Sequence, residues 1–418
     1  MPAPLSASPP CPSAPPSKSK RWSRSRRAIV STDYTATIHP TTASIPAAVW
    51  NSLVPSTDGV PDNPFLDHAF FRALEESGCA TGKTGWQPQH ILLAQDDKPV
   101  GLLPLFLKSH SMGEYVFDHG WANALERAGG HYYPKLQGSV PFTPATAPKL
   151  LVPSGSLEAQ AALLQTAQQL ATRTDASSIH LTFVPEVEAE LAGSIDWLRR
   201  VDTQFHWHNH DFKSFDDFLE TLASRKRKTI RRERRDALAD GLTVRWLTGK
   251  EIEEQHWDAF FEFYEDTGAR KWGRPYLNRR FFSLLGEYMA DRVVLMLAYD
   301  GVTPIAGAIN FRGVDTLYGR NWGATRDVPF LHFEVCYYQA IDYAIAHGLK
   351  TVEAGAQGEH KLARGYEPVL THSIHWIAHP GLRRAVADYL EDERPAVEQQ
   401  QETLETYTPF RKGERQDK

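Results

Sequence analysis

The chain has 418 residues, 41% of them hydrophobic, and 46 Lys and Arg against 51 Asp and Glu give a net charge of −5. That length and apolar content fill two domain cores of ordinary size, and the mild acidity argues against a general nucleic-acid binder, although a local patch can run against the total. Apolar runs such as 100–107 stop short of the roughly 18 residues a membrane helix needs, so no spanning segment is expected, and Cys11, Cys79 and Cys336 lack metal-ligand spacing and fit a reducing compartment, the cytoplasm by default.

Residues 1–33 are rich in Pro, Ser and Arg without an apolar centre of secretory length, and read as a disordered tail. Their basic, Ser-rich, acid-free start also suits an organellar transit peptide, which the prolines spoil as an amphipathic helix. Asn63-Pro64 opens a helix through Phe65, Leu66, Phe70, Phe71 and Leu74, whose spacing gathers the large apolar groups on one face. A hairpin follows over 91–107, turning at Gln95-Asp96-Asp97-Lys98-Pro99. Short strands are predicted at 115–117, 136–140 and 150–152, a helix over 157–171 and a strand over 179–184.

The boundary between a first domain, 34–208, and a second, 209–394, falls near 203–209. The second round begins with Ser214-Phe215-Asp216-Asp217, a capping box heading a helix that runs to Asp240, where Gly241 ends it. Strand 242–247 and helices 251–267 and 279–289 lead to a second hairpin over 293–311. It repeats the plan of the first: Ala two residues before Asp, then Pro, then Gly just inside the returning strand, where a position without a side chain suits a bulge or a close approach. Strand 316–322, helix 332–347 and strands 351–354 and 370–378 complete the domain, and 395–418 reads as a polar C-terminal tail. A hairpin written twice points to two related domains, and the element order to an α/β fold with a mixed sheet covered by helices.

Three stretches carry a resemblance: Gly113-Glu114-Tyr115-Val116-Phe117-Asp118-His119-Gly120-Trp121-Ala122; Tyr132-Tyr133-Pro134-Lys135-Leu136 with Val140-Pro141-Phe142-Thr143-Pro144; and Gly355-Ala356-Gln357-Gly358-Glu359-His360-Lys361. With them the chain resembles, over 38–387, the FemAB-like family of predicted N-acyltransferases, described as peptidoglycan biosynthesis or recognition proteins. The resemblance implies two GNAT-like (acyl-coenzyme A N-acyltransferase) domains in tandem. It also implies transfer of an acyl or aminoacyl group from acyl-coenzyme A or aminoacyl-tRNA to an amine, with a small molecule or a cell-wall precursor as acceptor and tRNA as a partner in the second case. The alternative is a non-catalytic recognition protein for peptidoglycan fragments or nucleic acid on the same scaffold.

Acyl transfer to an amine needs a group that removes the acceptor's proton, stabilisation of the carbonyl oxygen and a hold on the donor's phosphates. The stretch 351–368 is the densest in flexible backbone and reactive side chains. Glu353 and His360 are candidate bases, Lys361 and Arg364 candidate anion binders, and Gly355, Gln357 and Gly358 part of the same donor-side turn. The bland reading pairs Glu353 with Arg364 as a structural ion pair. Tyr318, Arg320, Asn321 and Trp322 fall on the expected central strand beside an acyl group. The segment after it holds one glycine where a phosphate loop wants two or more, leaving Arg326 and the following helix start for phosphate.

Residues 225–235 put eight basic side chains against one Glu, which makes Arg227, Arg231 and Arg234 candidate phosphate binders or simply a solvated face. Asp118, His119, Trp121, Tyr132, Tyr133 and Lys135 are candidates for a first-domain acceptor groove, or core with satisfied hydroxyls. His206, His208 and His210 alternate as a strand face would, but no carboxylate or cysteine accompanies them, and no metal is expected.

Overall fold

An eleven-stranded mixed sheet carries both halves of the chain. Its strands in chain order are β1 Trp86–Pro88, β2 Phe106–Lys108, β3 Lys135–Gly138, β4 Ser178–Val184, β5 Leu198–His208, β6 Thr243–Thr248, β7 Val293–Asp300, β8 Thr303–Arg312, β9 Thr316–Ala324, β10 Thr351–Glu353 and β11 Glu367–Ile377. They lie side by side as β6-β7-β8-β9-β10-β5-β11-β4-β3-β2-β1. The computed structural model describes residues 29–30, 34–271, 275–355 and 358–411. Most of the predicted N-terminal tail and Gln357 lie outside those residues.

The repeated hairpin forms twice, and each copy sets a leucine opposite its glycine, although the second has two more residues between them. In the first copy, part of a separate four-stranded sheet, Leu93 faces Gly101 and a bulge separates Leu93 from Ala94. In the second, Leu297 faces Gly307 and the bulge separates Ala298 from Tyr299. The glycines are required by close approach. A Cβ on Gly307 would stand 2.7 Å from Leu297 Cδ2, and one on Gly101 would stand 3.2 Å from Val152 Cγ2.

Two strand pairs of the large sheet are parallel, β3 with β4 and β9 with β10. The predicted boundary lies inside β5, which pairs with β11 and, at its far end, with β10. Because β11 also pairs with β4, these two long strands join the halves into one sheet. Aromatic packing ties them further: Phe65 meets Phe311 with ring centroids 4.9 Å apart, and Phe70 meets Phe281 at 5.9 Å. Burying each such ring contributes about 1.5–3 kcal/mol.

The strand predicted at 115–117 does not form, because Tyr115 takes a left-handed φ of 61°, and three further elements differ in extent. The helix expected from Asn63 is a 3-10 turn, Pro64–Leu66, followed by the helix His68–Glu76, because Asp67 starts a new cap by accepting from Ala69 N. The helix expected from 214 to 240 is two, Phe215–Thr221 and Ser224–Ala237. It breaks where Leu222 turns extended to bridge Phe410 and Ala223 N donates to Pro409 O, contacts that local sequence does not contain. The polar segment from Pro395 continues the helix Pro380–Thr406, which rests on β11 and β5 through Leu382, Val386 and Leu390.

Candidate active site

The parallel strands β9 and β10 pair at three positions, the last being Tyr318 with Glu353. Beyond it β10 ends while β9 runs on to Ala324 beside β8 alone. A bulge opposite Ile309 lets β9 carry one extra residue, which turns Arg320 and Asn321 into a narrow cleft lined by Phe70, Phe142 and Phe311.

Glu353 is 7% exposed, and its Oε2 has no hydrogen-bond partner. Burial pushes its carboxyl up to about 7, against the pull of Arg320 and Lys149. The Arg320 guanidinium lies 4.9 Å from the Phe65 ring, and its Nε and Nη2 are likewise buried without partners. Unpartnered atoms of opposite charge near the point where two strands part leave room in the hydrogen-bond inventory for a ligand. Lys361 Nζ donates to Gly355 O at 2.8 Å, and burial, with Arg320 nearby, lowers the amine to about 7. Tyr318 OH accepts from Asn63 Nδ2 at 3.2 Å, and burial raises its phenol.

The first half of the chain supplies the other wall. Lys149 is buried, its Nζ donating to Ala147 O at 2.6 Å and Phe183 O at 3.0 Å. Burial lowers the Lys149 amine and raises the neighbouring Glu188 carboxyl, which accepts from the backbone N of Lys149 and Leu150. Sequence reasoning passed over this pair. A lysine inside the apolar run Lys149-Leu150-Leu151-Val152 was the available signal.

Tyr115, Phe142 and Phe183 have φ of 61°, 59° and 55°, left-handed backbone that costs a bulky residue about 1–3 kcal/mol. Packing holds the second of them: Phe142 N donates to Gly113 O, and its ring stacks on Tyr276 at 5.0 Å. The stretches 113–122 and 140–144 therefore meet each other and the second half of the chain beside Arg320. Strain of this kind concentrates where a site must hold its shape.

The family model for FemAB-like proteins, peptidoglycan biosynthesis/recognition, matches residues 41–412. The chain belongs to the FemAB-like family. Its fold is shared with FemX. The crystal structure of FemX superposes with a TM-score of 0.51 at 13% identity, covering 84% of this chain and 99% of that one. A tandem GNAT protein from the clavulanic acid biosynthesis pathway gives 0.44 at 12% identity, with 83% and 99% covered. L-PGS from Bacillus licheniformis gives 0.47 at 9% identity, with 79% and 97% covered. No curated protein matches in sequence. No helix among the described residues is long and apolar enough to cross a membrane.

Other predicted site residues of this FemAB-like chain lie elsewhere. His360 is exposed and sits apart from Glu353, its Nε2 2.9 Å from Tyr337 OH in an aromatic group with His332 and Phe333. Trp322 packs on His332 at 5.4 Å. Arg364 does not pair with Glu353. It holds Glu233 at 2.9 Å and covers the Phe333 ring at 3.4 Å, because the basic helix Ser224–Ala237 brings that carboxylate in from the other side. Arg326 pairs at the surface with Asp300 at 2.6 Å. Gly355 and Gly358 take φ of 79° and 116°, turning the chain off β10. Gly323, expected in a loop after the central strand, lies inside β9 opposite Gly307 and is taken up by packing: a Cβ there would fall 2.0 Å from Phe263 O of the helix Glu254–Lys271.

On the basic helix, Arg234 is held by Glu334 at 2.9 Å and Asp342 at 2.6 Å, and Arg231 meets Asp216 at 2.9 Å. Arg227 is half-buried on the same helix.

In the first domain, Asp118, Tyr132 and Lys135 join a buried network rather than an open groove. Lys135 Nζ reaches Glu114 at 2.6 Å and Asp118 at 2.5 Å, and Tyr132 OH donates to Asp118 at 2.7 Å. Burial opposes the charge on Asp118, but Lys135 and His180 outweigh it and hold the carboxyl well below the usual range. Trp121 packs against His375, Tyr133 OH meets Ser111 Oγ at 2.8 Å, and His119 is exposed over Phe117. His206 lies opposite Glu353 across β5 and β10, buried and pushed down to about 3 by that burial, with His208 6.4 Å away ring to ring. His210 lies 3.8 Å from Glu367.

Proposed function

We propose that this chain is an N-acyltransferase whose reacting centre is the junction around Glu353, Arg320 and Lys361. The observation that carries this reading is that Glu353 Oε2 and Arg320 Nε and Nη2 are buried without partners near the point where β9 and β10 part, each within electrostatic reach of the other. A carboxylate poised near pH 7 is matched to taking a proton from an amine at neutral pH. The amine nitrogen attacks the donor's carbonyl carbon, Glu353 takes the nitrogen's proton, and the unpartnered guanidinium faces the oxygen as it gains charge. The bond from carbonyl carbon to the donor's oxygen or sulfur then breaks. Lys361, near neutrality, returns a proton to the leaving group.

The family description supports a peptidoglycan precursor as the amine-bearing acceptor. With Gly323 committed to packing, the loop after β9 offers no ordinary pyrophosphate cradle, so acyl-coenzyme A and aminoacyl-tRNA both stand as donors.

The test offers each donor with an amine-terminated peptidoglycan peptide and reads the product by mass spectrometry. Transfer by the wild type, reduced about 10²–10⁴-fold in Glu353→Gln with the fold unchanged, is the expected result. Binding of the peptide without transfer from either donor would move the assignment to a recognition protein.

A further inference from the structure

The two halves repeat more than a hairpin. Leu136-Gln137-Gly138 on β3 and Leu317-Tyr318-Gly319 on β9 each run parallel to a neighbouring strand, with Gln137 paired to His180 on β4 and Tyr318 paired to Glu353 on β10. The last strand of each half then crosses to the other half and pairs antiparallel there: His375 of β11 lies opposite His180, and His206 of β5 lies opposite Glu353. Both histidines follow an apolar residue and precede a tryptophan, in Phe205-His206-Trp207 and Ile374-His375-Trp376. His206 therefore stands to Glu353 as His375 stands to His180.

Residues directly opposite on antiparallel strands put their side chains on one face, within reach of each other. In the first half that pair is bonded, Nδ1 to Nδ1 at 2.7 Å. In the second half Glu353 Oε2 is buried without a partner, and His206 Nε2 meets Gln204 Oε1 at 3.4 Å, near the limit of a hydrogen bond. Burial keeps the His206 imidazole neutral, and His208 on the same strand, Lys361 from the turn 359–364 and Arg320 from β9 act in the same direction. Arg320 and Lys149 are the cations that act on Glu353, and the Tyr318 phenol lies beside it. A neutral imidazole still has one N–H to donate. Such a donor steadies a carboxylate without cancelling its charge, whereas a cation bonded to it would pull the carboxyl far below neutrality.

We infer that His206 is a positioning residue for Glu353, its ring N–H donating to Oε2 of the deprotonated carboxylate. It rests on the reading of Glu353 as the base of acyl transfer, and its test needs no transfer.

The test is carboxyl NMR of the full chain carrying isotope-labelled glutamate, the Glu353 signal being the one lost in Glu353→Gln. His206→Phe keeps a ring but has no N–H, and is expected to raise the titration midpoint of Glu353 by about one to two pH units. His206→Gln keeps an N–H and is expected to hold the midpoint near the wild-type value. The inference is overturned if His206→Phe leaves the midpoint unchanged or if His206→Gln moves it as far. Should His206→Phe fail to fold, the wild type decides: the ring nitrogen signals of His206 are expected to shift as Glu353 titrates and to stay still over the same range in Glu353→Gln. Ring signals that ignore Glu353 overturn the inference. If neither donor gives transfer while the midpoint moves as expected, the transferase reading falls and the bond from His206 to Glu353 stands.

Discussion

Tyr318 and Glu353 are the last residues to pair across the parallel strands β9 and β10, and the charged junction site opens directly beyond them. Paired backbone up to that point keeps Glu353 rigid and dry. The loss of pairing after it lets β9 bulge and present Arg320.

The pH dependence of transfer follows from two groups. Glu353 acts deprotonated, so the rate rises as pH passes about 7, and Lys361 acts protonated, so the rate falls above about 7. The expected profile of kcat/KM is a narrow bell centred near neutrality. Lys361→Met should remove the alkaline limb and leave the acid limb; a profile unchanged by that substitution would exclude Lys361 as the acid.

Stability in acid should separate Glu353 from the buried histidines. His180 and His206, each lowered to about 3 by burial, stay neutral when folded and charge when unfolded, so they lose stability as pH falls from 6.5 toward 3. Glu353, raised to about 7, has the opposite effect: its contribution is full below the unfolded value of 4.5 and is lost as pH rises through 7. Each group acts at up to about 1.4 kcal/mol per pH unit. Urea unfolding of Glu353→Gln should therefore show a steeper fall between pH 6.5 and 4.5 than the wild type. Equal slopes would mean that Glu353 titrates normally.

Lys135→Met leaves Asp118 buried without its cation. Removing one member of a buried pair costs about 3–5 kcal/mol, and denaturant midpoints are the measure. A loss below 1 kcal/mol would show that the network hydrates or that Asp118 takes a proton at little cost.

Gly323→Ala should cost at least about 2 kcal/mol, because the new carbon would fall on the backbone of the helix Glu254–Lys271, which a rotamer change cannot move. Gly120→Ala is the matched control. Its Cβ meets nothing within 4 Å, and it lies in the helix His119–Arg127, where Ala is favoured. Thermal unfolding of the two variants should diverge.

What the sequence determined by itself was local. The two hairpins were legible to the level of the glycine just inside the returning strand, because turn and bulge chemistry reside in a few adjacent residues; the leucine it faces was not. The cap at Ser214 was legible too: its Oγ accepts from Asp217 N at 3.1 Å, though the Asp217 carboxylate takes Lys213 N in place of Ser214 N. Glu353, Lys361 and Arg320 could be singled out as polar residues around an interior strand end. Their partners could not. That Arg364 belongs to Glu233, that the long helix breaks because Leu222 meets Phe410, and that Lys149 stands near Glu353 are facts of pairing between distant segments. Such pairings are decided when the halves share one sheet, because only burial in the assembled junction makes one charge require another.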